Sequence, residues 1–184
     1  MISRNNPQIS RPLASPQPKL PGTHRALNPT DLLMSETIFQ KRASELLHAT
    51  RVEVAPANYA LIGIRHQEWT RVLENPELSP RADAPFMIFR DQREVTLLIE
   101  EDDWKRIRHA VRDAKTEGGL RLVTLDIELS WNVVGYLAQV TNILAAAGLS
   151  VGAVSSFSRD HLLIKQNDLG SALRVLGEHV GELC

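Results

Sequence analysis

From Arg51 to about residue 181 the pattern of apolar and polar side chains runs twice through one order: strand, helix, strand, strand, helix. The second copy is the clearer. Val123, Leu125, Ile127 and Leu129 alternate with Thr124, Asp126 and Glu128, the period of a half-buried strand, which predicts a strand over 120–129. The turn Ser130-Trp131-Asn132 leads into Leu137, Val140, Leu144 and Ala147, one apolar stripe at helical spacing, closed by Gly148. Residues 149–157 alternate again, Ser158-Arg159 makes a tight turn, and 161–165 returns as a strand. Asn167 or Asp168 then caps a last helix bearing Leu169, Ala172, Leu173, Leu176 and Val180.

The first copy is rougher. Arg51 to Val54 alternates, Pro56 breaks the run, and 59–64 resumes it. Gln67 to Leu73 gives about two helical turns. Three prolines, Pro76, Pro80 and Pro85, hold a loop. Phe86 to Phe89 and Val95 to Ile99 read as a hairpin around the polar turn 90–93. The acidic run Glu100 to Asp103 opens a helix with Trp104, Ile107 and Val111 at helical spacing. Carboxylates there complement the positive end of the helix dipole. Gly118-Gly119 punctuates the chain and reads as the joint between the copies. This order predicts an α+β fold of two tandem ferredoxin-like βαββα(β) units, with antiparallel sheets and helices on one face. The units are expected at 49–117 and 118–184.

Two segments precede them. Residues 31–48 carry Leu32, Leu33, Phe39, Ala43, Leu46 and Leu47 at near-helical spacing and predict a leading amphipathic helix. Residues 1–30 hold six of the ten prolines and four basic residues without an acid. That tail has too little to bury and is expected to stay unordered. Its charge resembles a transit peptide, but its prolines oppose the amphipathic helix such peptides form, and it has no apolar signal core. The remaining body carries 17 basic and 22 acidic residues, so the net charge of −1 is a cancellation.

An acidic body with 5% aromatic residues excludes binding driven by phosphate neutralisation or base stacking, so no nucleic-acid partner is expected. The longest run of apolar residues and glycine, Ile143 to Leu149, is far short of the ~20 residues of a membrane span. The single cysteine, Cys184, forms no internal disulfide and makes a reducing, cytoplasmic setting the default expectation. No two of the six histidines stand at helical metal-ligand spacing, so no metal is expected. Dinucleotide, P-loop and nucleophile-elbow motifs are absent, and no nucleophile sits in an activating context. The chain is read as non-enzymatic and without a cofactor. A minor reading pairs Asp160 with His161 in a small hydrolase or transferase. Trp69, Trp104 and Trp131 read as core or interface anchors.

One constellation has a mechanism. The turn from Trp131 to Gly135 feeds a helix whose first N–H groups lack partners, a place that attracts a carboxylate. Gly135 permits close backbone approach. In the later hairpin, Asp160 can pair an ammonium, Ser156 can hydrogen-bond it, and Phe157 can cover an aliphatic stem. An ordinary hairpin turn, capped by its Asp and with its serines in water, accounts for the same residues.

The run Val134-Gly135-Tyr136-Leu137 through Ala147-Gly148-Leu149-Ser150-Val151 resembles the first loop, helix and second strand of an ACT domain, whose pattern is D-x-P-G-x-L followed by A-x-x-G-I-x-I. Asn132 stands at the family's acid and Val134 at its proline. The continuation Ser156 to Ile164 resembles the small ACT-like proteins related to cytosolic arginine sensors. The resemblance covers roughly 51–181 and is strongest over 121–165. It implies a regulatory module that binds a free amino acid or similar effector at a domain or subunit interface, through Val134, Gly135, Ser156, Phe157 and Asp160. It also implies a homo-oligomer or a partner protein. The alternative is a ligand-free dimerisation module that pairs through its sheet edges.

Overall fold

The computed structural model describes residues 40–184 apart from Ala82. The basic tail and the first part of the leading helix lie outside the described residues. Helix α1 spans 40–48. The first unit then runs β1 (Arg51–Ile64), α2 (His66–Leu73), β2 (Met87–Arg90), β3 (Val95–Glu100) and α3 (Glu101–Ile107). The second runs β4 (Lys115–Asp126), α4 (Tyr136–Ala146), β5 (Val151–Ser155), β6 (Asp160–Lys165), α5 (Leu169–Gly177) and a short β7 (Glu182–Leu183).

The strands form one seven-stranded sheet in the order β2-β3-β1-β4-β6-β5, with β7 beside β1. All pairings are antiparallel except β1 with β7. Each unit therefore sets its third strand between its first and second, and the two first strands meet in the middle. β4 is at once the closing strand of the first unit and the opening strand of the second.

Two irregularities in the β1–β4 pair are visible in the sequence but act otherwise than expected. Pro56 does not break β1. Three residues of β1, 55 to 57, stand opposite a single residue of β4, since Val54 faces Val123 and Asn58 faces Arg121. A bulge accommodates a residue that cannot donate to the ladder. The Arg121 guanidinium donates to the Ala55 carbonyl at 2.7 Å and satisfies the bulge. Gly118-Gly119 is likewise no joint. Both glycines lie inside β4, where Tyr59 faces Leu120 but Leu61 faces Glu117. Gly119 has φ +65°, which a β-carbon would strain. The strand predicted to reach Leu129 ends at Asp126, and the one predicted over 149–157 spans 151–155.

The helices lie on one face of the sheet. Under α1, α4 and α5 is a core around Leu47, Val123, Leu125, Val140, Leu144, Leu162 and Leu176. Under α2 and α3 is a second, around Ile62, Ile64, Leu97, Ile99 and Ile107, with Trp69 and Trp104 packed against it. On the other face lies a third cluster, Tyr59, Leu98, Leu120, Leu122 and Leu163, and among the described residues the apolar side chains packed against it, Ala55, Ala57, Leu61, Met87 and Val154, all belong to strands. It is buried all the same, with Tyr59 only 1% exposed. The bulges increase local twist, and the sheet curls around these side chains. Burial also pushes the Tyr59 hydroxyl up to about 12.

His161 stands on this helix-free face, with Nδ1 at 3.0 Å from the Thr124 hydroxyl. Burial holds its imidazole below the ordinary 6.5, Arg159 adds to the lowering, and Asp160 opposes it.

Two predictions follow from these arrangements. Arg121→Ala leaves the bulge carbonyl unpaired and should cost about 1–3 kcal/mol in denaturant unfolding; a change below ~0.5 kcal/mol would remove the bulge-capping role. For His161, the folded state favours the neutral ring, so the unfolded chain takes up the proton first on acidification. Stability should fall as pH drops below about 6.5 toward the lowered folded value. His161→Gln should lose less stability than the wild type between about pH 7.5 and pH 5.5; equal losses in the two proteins would refute this.

Candidate functional site

After β4 the chain runs through 127–135 and enters α4 at Gly135, whose φ of +84° suits a residue without a β-carbon. Gly135 caps α4 with no side-chain hydrogen bond. The N–H groups of Tyr136, Leu137 and Ala138 therefore end the helix without intrahelical acceptors. They open into a cleft of about 280 Å³ whose opposite wall is the β5–β6 turn, residues 155–160. Its size lies near the lower end of small-ligand sites, ~300–1,000 Å³.

The walls are tied together. Leu129 N–H donates to the Ser158 carbonyl at 3.0 Å. The Arg159 Nε donates to Asp126 at 2.6 Å, and its guanidinium also lies 3.9 Å from Glu128. These acids, Asp126 first, raise the guanidinium's pKa above its usual value. Arg159 is thus directed at the end of β4, and among the described residues no other basic side chain lines the cleft. On the floor, Tyr136 is buried, and its hydroxyl lies 2.8 Å from Thr50, which donates to the Leu46 carbonyl. Burial pushes the Tyr136 hydroxyl up to about 12, so it remains a neutral structural link between α1 and α4.

Four of the five expected residues come together. Gly135, Ser156, Phe157 and Asp160 all line the cleft. Val134 does not: it is 51% exposed and lines a groove between α1 and α4, beside Lys41, Ser44 and Ala138. That groove is larger, about 1020 Å³, and no carboxylate lines it among the described residues. Asp160 accepts a hydrogen bond from Ser155 at 2.6 Å through one oxygen. Ser156 donates to the Arg159 carbonyl at 3.1 Å, so its hydroxyl hydrogen serves the turn and its oxygen lone pairs face outward only as acceptors. Phe157 stands at the mouth, 87% exposed, and Trp131 is 86% exposed on the opposite lip. Trp131 is no core anchor, in contrast to Trp69 and Trp104.

The pairing of Asp160 with His161 is not made. Adjacent strand residues point to opposite faces. Asp160 bonds Ser155 on the helix side, and His161 bonds Thr124 on the other. Ser155, Tyr136 and Trp131 also line the cleft and are not among the five residues the sequence points to as ligand contacts. The first is missed because a tight turn at Ser158-Arg159 would set Phe157 opposite Asp160, whereas the loop spans 156–159 and sets Ser155 there. Tyr136 had no local signal, because its partner Thr50 is 86 residues away.

The chemistry is that of a small, largely apolar cleft with the positive end of a helix on one side and a carboxylate on the other. Among the described residues no cluster of three or more ligating side chains could hold a metal ion, and no helix is long and apolar enough to cross a membrane.

Comparison with known proteins agrees with this fold. Residues 115–178, from β4 through α5, match the model of the ACT domain family. No curated protein matches the sequence. Among solved structures, a structural-genomics target from Agobacterium tumefaciens is 19% identical with a TM-score of 0.58, covering 74% of this chain and 92% of its own. A Vibrio cholerae protein of unknown function, described as a possible transport protein, is 22% identical with a TM-score of 0.55, covering 76% and 96%. The regulatory subunit of aspartate kinase from Thermus flavus is 12% identical with a TM-score of 0.57, covering 72% and 98%. The described chain has a tandem ACT-type fold, and its second unit is the part that matches the ACT domain family.

Proposed function

We propose that this chain is a non-enzymatic regulatory module that holds a free amino acid, or a similar zwitterion, in the cleft between α4 and the β5–β6 turn. The observation that carries the reading is the opposition of charges across that cleft. The uncapped start of α4 would receive the carboxylate through the N–H groups of Tyr136, Leu137 and Ala138. The second oxygen of Asp160 and the Ser156 oxygen would accept from the ammonium. Phe157 would cover the side chain's stem, and Val134, on the far side of the junction, would shape the loop rather than touch the ligand. The ACT match over 115–178 and the fold of an aspartate kinase regulatory subunit support regulation by a small effector. In this reading the effector belongs to the second unit, 118–184, and the first, 49–117, is its divergent partner. The closer kinship with relatives of the cytosolic arginine sensors rests on Ser156 to Ile164. It makes arginine an early candidate and the cytoplasm the natural setting.

Regulation requires that the effector bind two states of the chain or its partner unequally. Binding alone is tested first. In a thermal-denaturation panel of the proteinogenic amino acids, an effector at ~100 times its Kd adds about 2.7 kcal/mol. At least one amino acid should raise the melting temperature, and Asp160→Ala should abolish that rise. A panel with no response would sink the effector reading. A full response in Asp160→Ala would exclude the ammonium role of Asp160 while leaving the cleft in play.

A further inference from the structure

Between Glu128 and Arg159 lie thirty consecutive residues without an Asp, Glu, Lys, Arg or His. Helix α4 falls inside this uncharged segment. Its outward positions, Ala138, Asn142 and Ala146, are exposed. An exposed helix face ordinarily carries charge, as α3 does with Asp102, Lys105 and Arg106. The three α4 residues, with Val134, form one wall of the groove between α1 and α4. The opposite wall is the start of α1, from Gln40 to Ser44. The groove is largely apolar, and Lys41 is the one charged side chain that lines it among the described residues. Gln139 stands on the α4 wall with its amide oxygen withdrawn from water and, among the described residues, without a hydrogen-bond partner. A wall that is apolar, uncharged and short of a donor is one that something else covers.

We infer that the groove is covered by this chain's own residues 31–39, the segment that leads into α1. The connection favours it first. Gln40 lines the groove and is also where that segment joins the described chain, so the occupant is tethered at the groove's edge and its local concentration is high. Composition favours it next. Five of the nine residues are large and apolar, Leu32, Leu33, Met34, Ile38 and Phe39, against six of the thirty before them. No proline interrupts 31–39, whereas six fall in 1–30.

Charge makes the same selection. Asp31 and Glu36 are the only acids of the first 39 residues and are opposite in sign to Lys41, while the four basic residues of 1–30 would repel it. Length is sufficient. The α4 wall from Val134 to Ala146 is about 18 Å long at the helical rise, and nine extended residues reach about 30 Å. A backbone N–H of the docked segment would also give the Gln139 amide oxygen its donor. A second copy of the chain is the poorer occupant, since a concave groove set against its own image meets a groove and not a ridge. The inference does not depend on an effector in the cleft.

The test is the reactivity of a thiol placed on the α4 wall of the full chain. Cys184, the single cysteine, is exposed and is first removed as Cys184→Ser. Asn142→Cys then puts a reporter in the groove, and Gln92→Cys puts a control in the distant β2–β3 turn. A covered thiol reacts only through local opening, so the reporter should react with a bulky thiol reagent at least ~10-fold more slowly than the control. Leu32→Asp with Leu33→Asp should bring the reporter to the control's rate and leave the control unchanged. Circular dichroism checks that this variant is folded; where it is not, Leu32→Ser with Leu33→Ser gives the same reading. The protection should be the same at every protein concentration, because the occupant is part of the chain. A reporter as reactive as the control before any substitution at 32 and 33 would overturn the inference and leave the groove to another molecule. Protection that survives those substitutions would assign the cover to other residues, and protection lost on dilution would assign it to a second copy; either overturns it equally.

Discussion

The β1–β4 pair is the interaction on which everything else in the molecule rests. A βαββα unit leaves its first strand with one open side. In this chain each unit closes that side with the first strand of the other. β4 takes the fourth-strand place of the first unit, and β1 takes the corresponding place in the second. Neither unit has a complete sheet without the other. The pair is also irregular twice near its middle, with the Pro56 bulge on β1 and the glycine bulge on β4 separated only by Asn58 and Tyr59. Those irregularities curl the sheet enough to bury Tyr59 and four leucines on a face that no helix covers. Each such side chain contributes roughly 1.5–3 kcal/mol. A proline and a glycine pair, ordinarily breakers of a central strand, thus help to give the fold its second buried face.

The cleft inherits its rigidity from the same strand. β4 ends at Asp126, where Arg159 reaches across from the β5–β6 turn. Leu129 continues the contact through Ser158. On the other wall, Tyr136 is bound through Thr50 to the end of α1. Both walls are therefore held by bonds within the chain itself, the kind of pre-organisation that lowers the ordering cost of any binding. Arg159 also settles the polarity of the space. With the guanidinium committed to Asp126 and Glu128, the positive character inside the cleft comes from backbone alone, at the start of α4.

Much of this was legible in the sequence because it depends on local periodicity. The alternation from Val123, the stripe through Val140 and Leu144, and the turn residues of both hairpins give each element its type, and the repeated order gives the sheet. Four cleft residues were legible for the same reason, since a glycine before a helix and a hairpin turn are local features. What was not legible depends on partners far along the chain. Pro56 reads as a break unless Arg121 is known to cap the bulge. Gly118-Gly119 reads as a linker unless β1 is known to hold both its flanks. Val134 falls outside the cleft because the backbone turns at Gly135, and sequence spacing does not report the sense of that turn. Trp131 carries no local mark that distinguishes it from the two tryptophans packed on the core.

The two units also show how one plan takes on two chemistries. The first unit has its own junction of strand, helix start and hairpin turn, at Arg65, His66 and 91–94. There the elements are locked by polar groups. Asp91 accepts from the N–H groups of Arg93 and Glu94, its carbonyl lies 3.0 Å from His66 Nε2, and Arg65 pairs with Asp113 at 2.6 Å. The two backbone bonds, that to Glu94 foremost, hold the Asp91 carboxyl below its usual value. In the second unit the same junction lies within the long uncharged segment, and Asp160 and Arg159 stand only at its border. Neither α2 nor α4 has a side-chain cap at its start, so the difference lies in the side chains around it. The first junction is crossed by polar bonds, and the second turns bare apolar side chains, Trp131 and Phe157, outward. The distribution of charge along the chain, more than the fold the units share, therefore sets the two junctions apart: the first is crosslinked by its own polar side chains, and the second stands in a segment without a charged one.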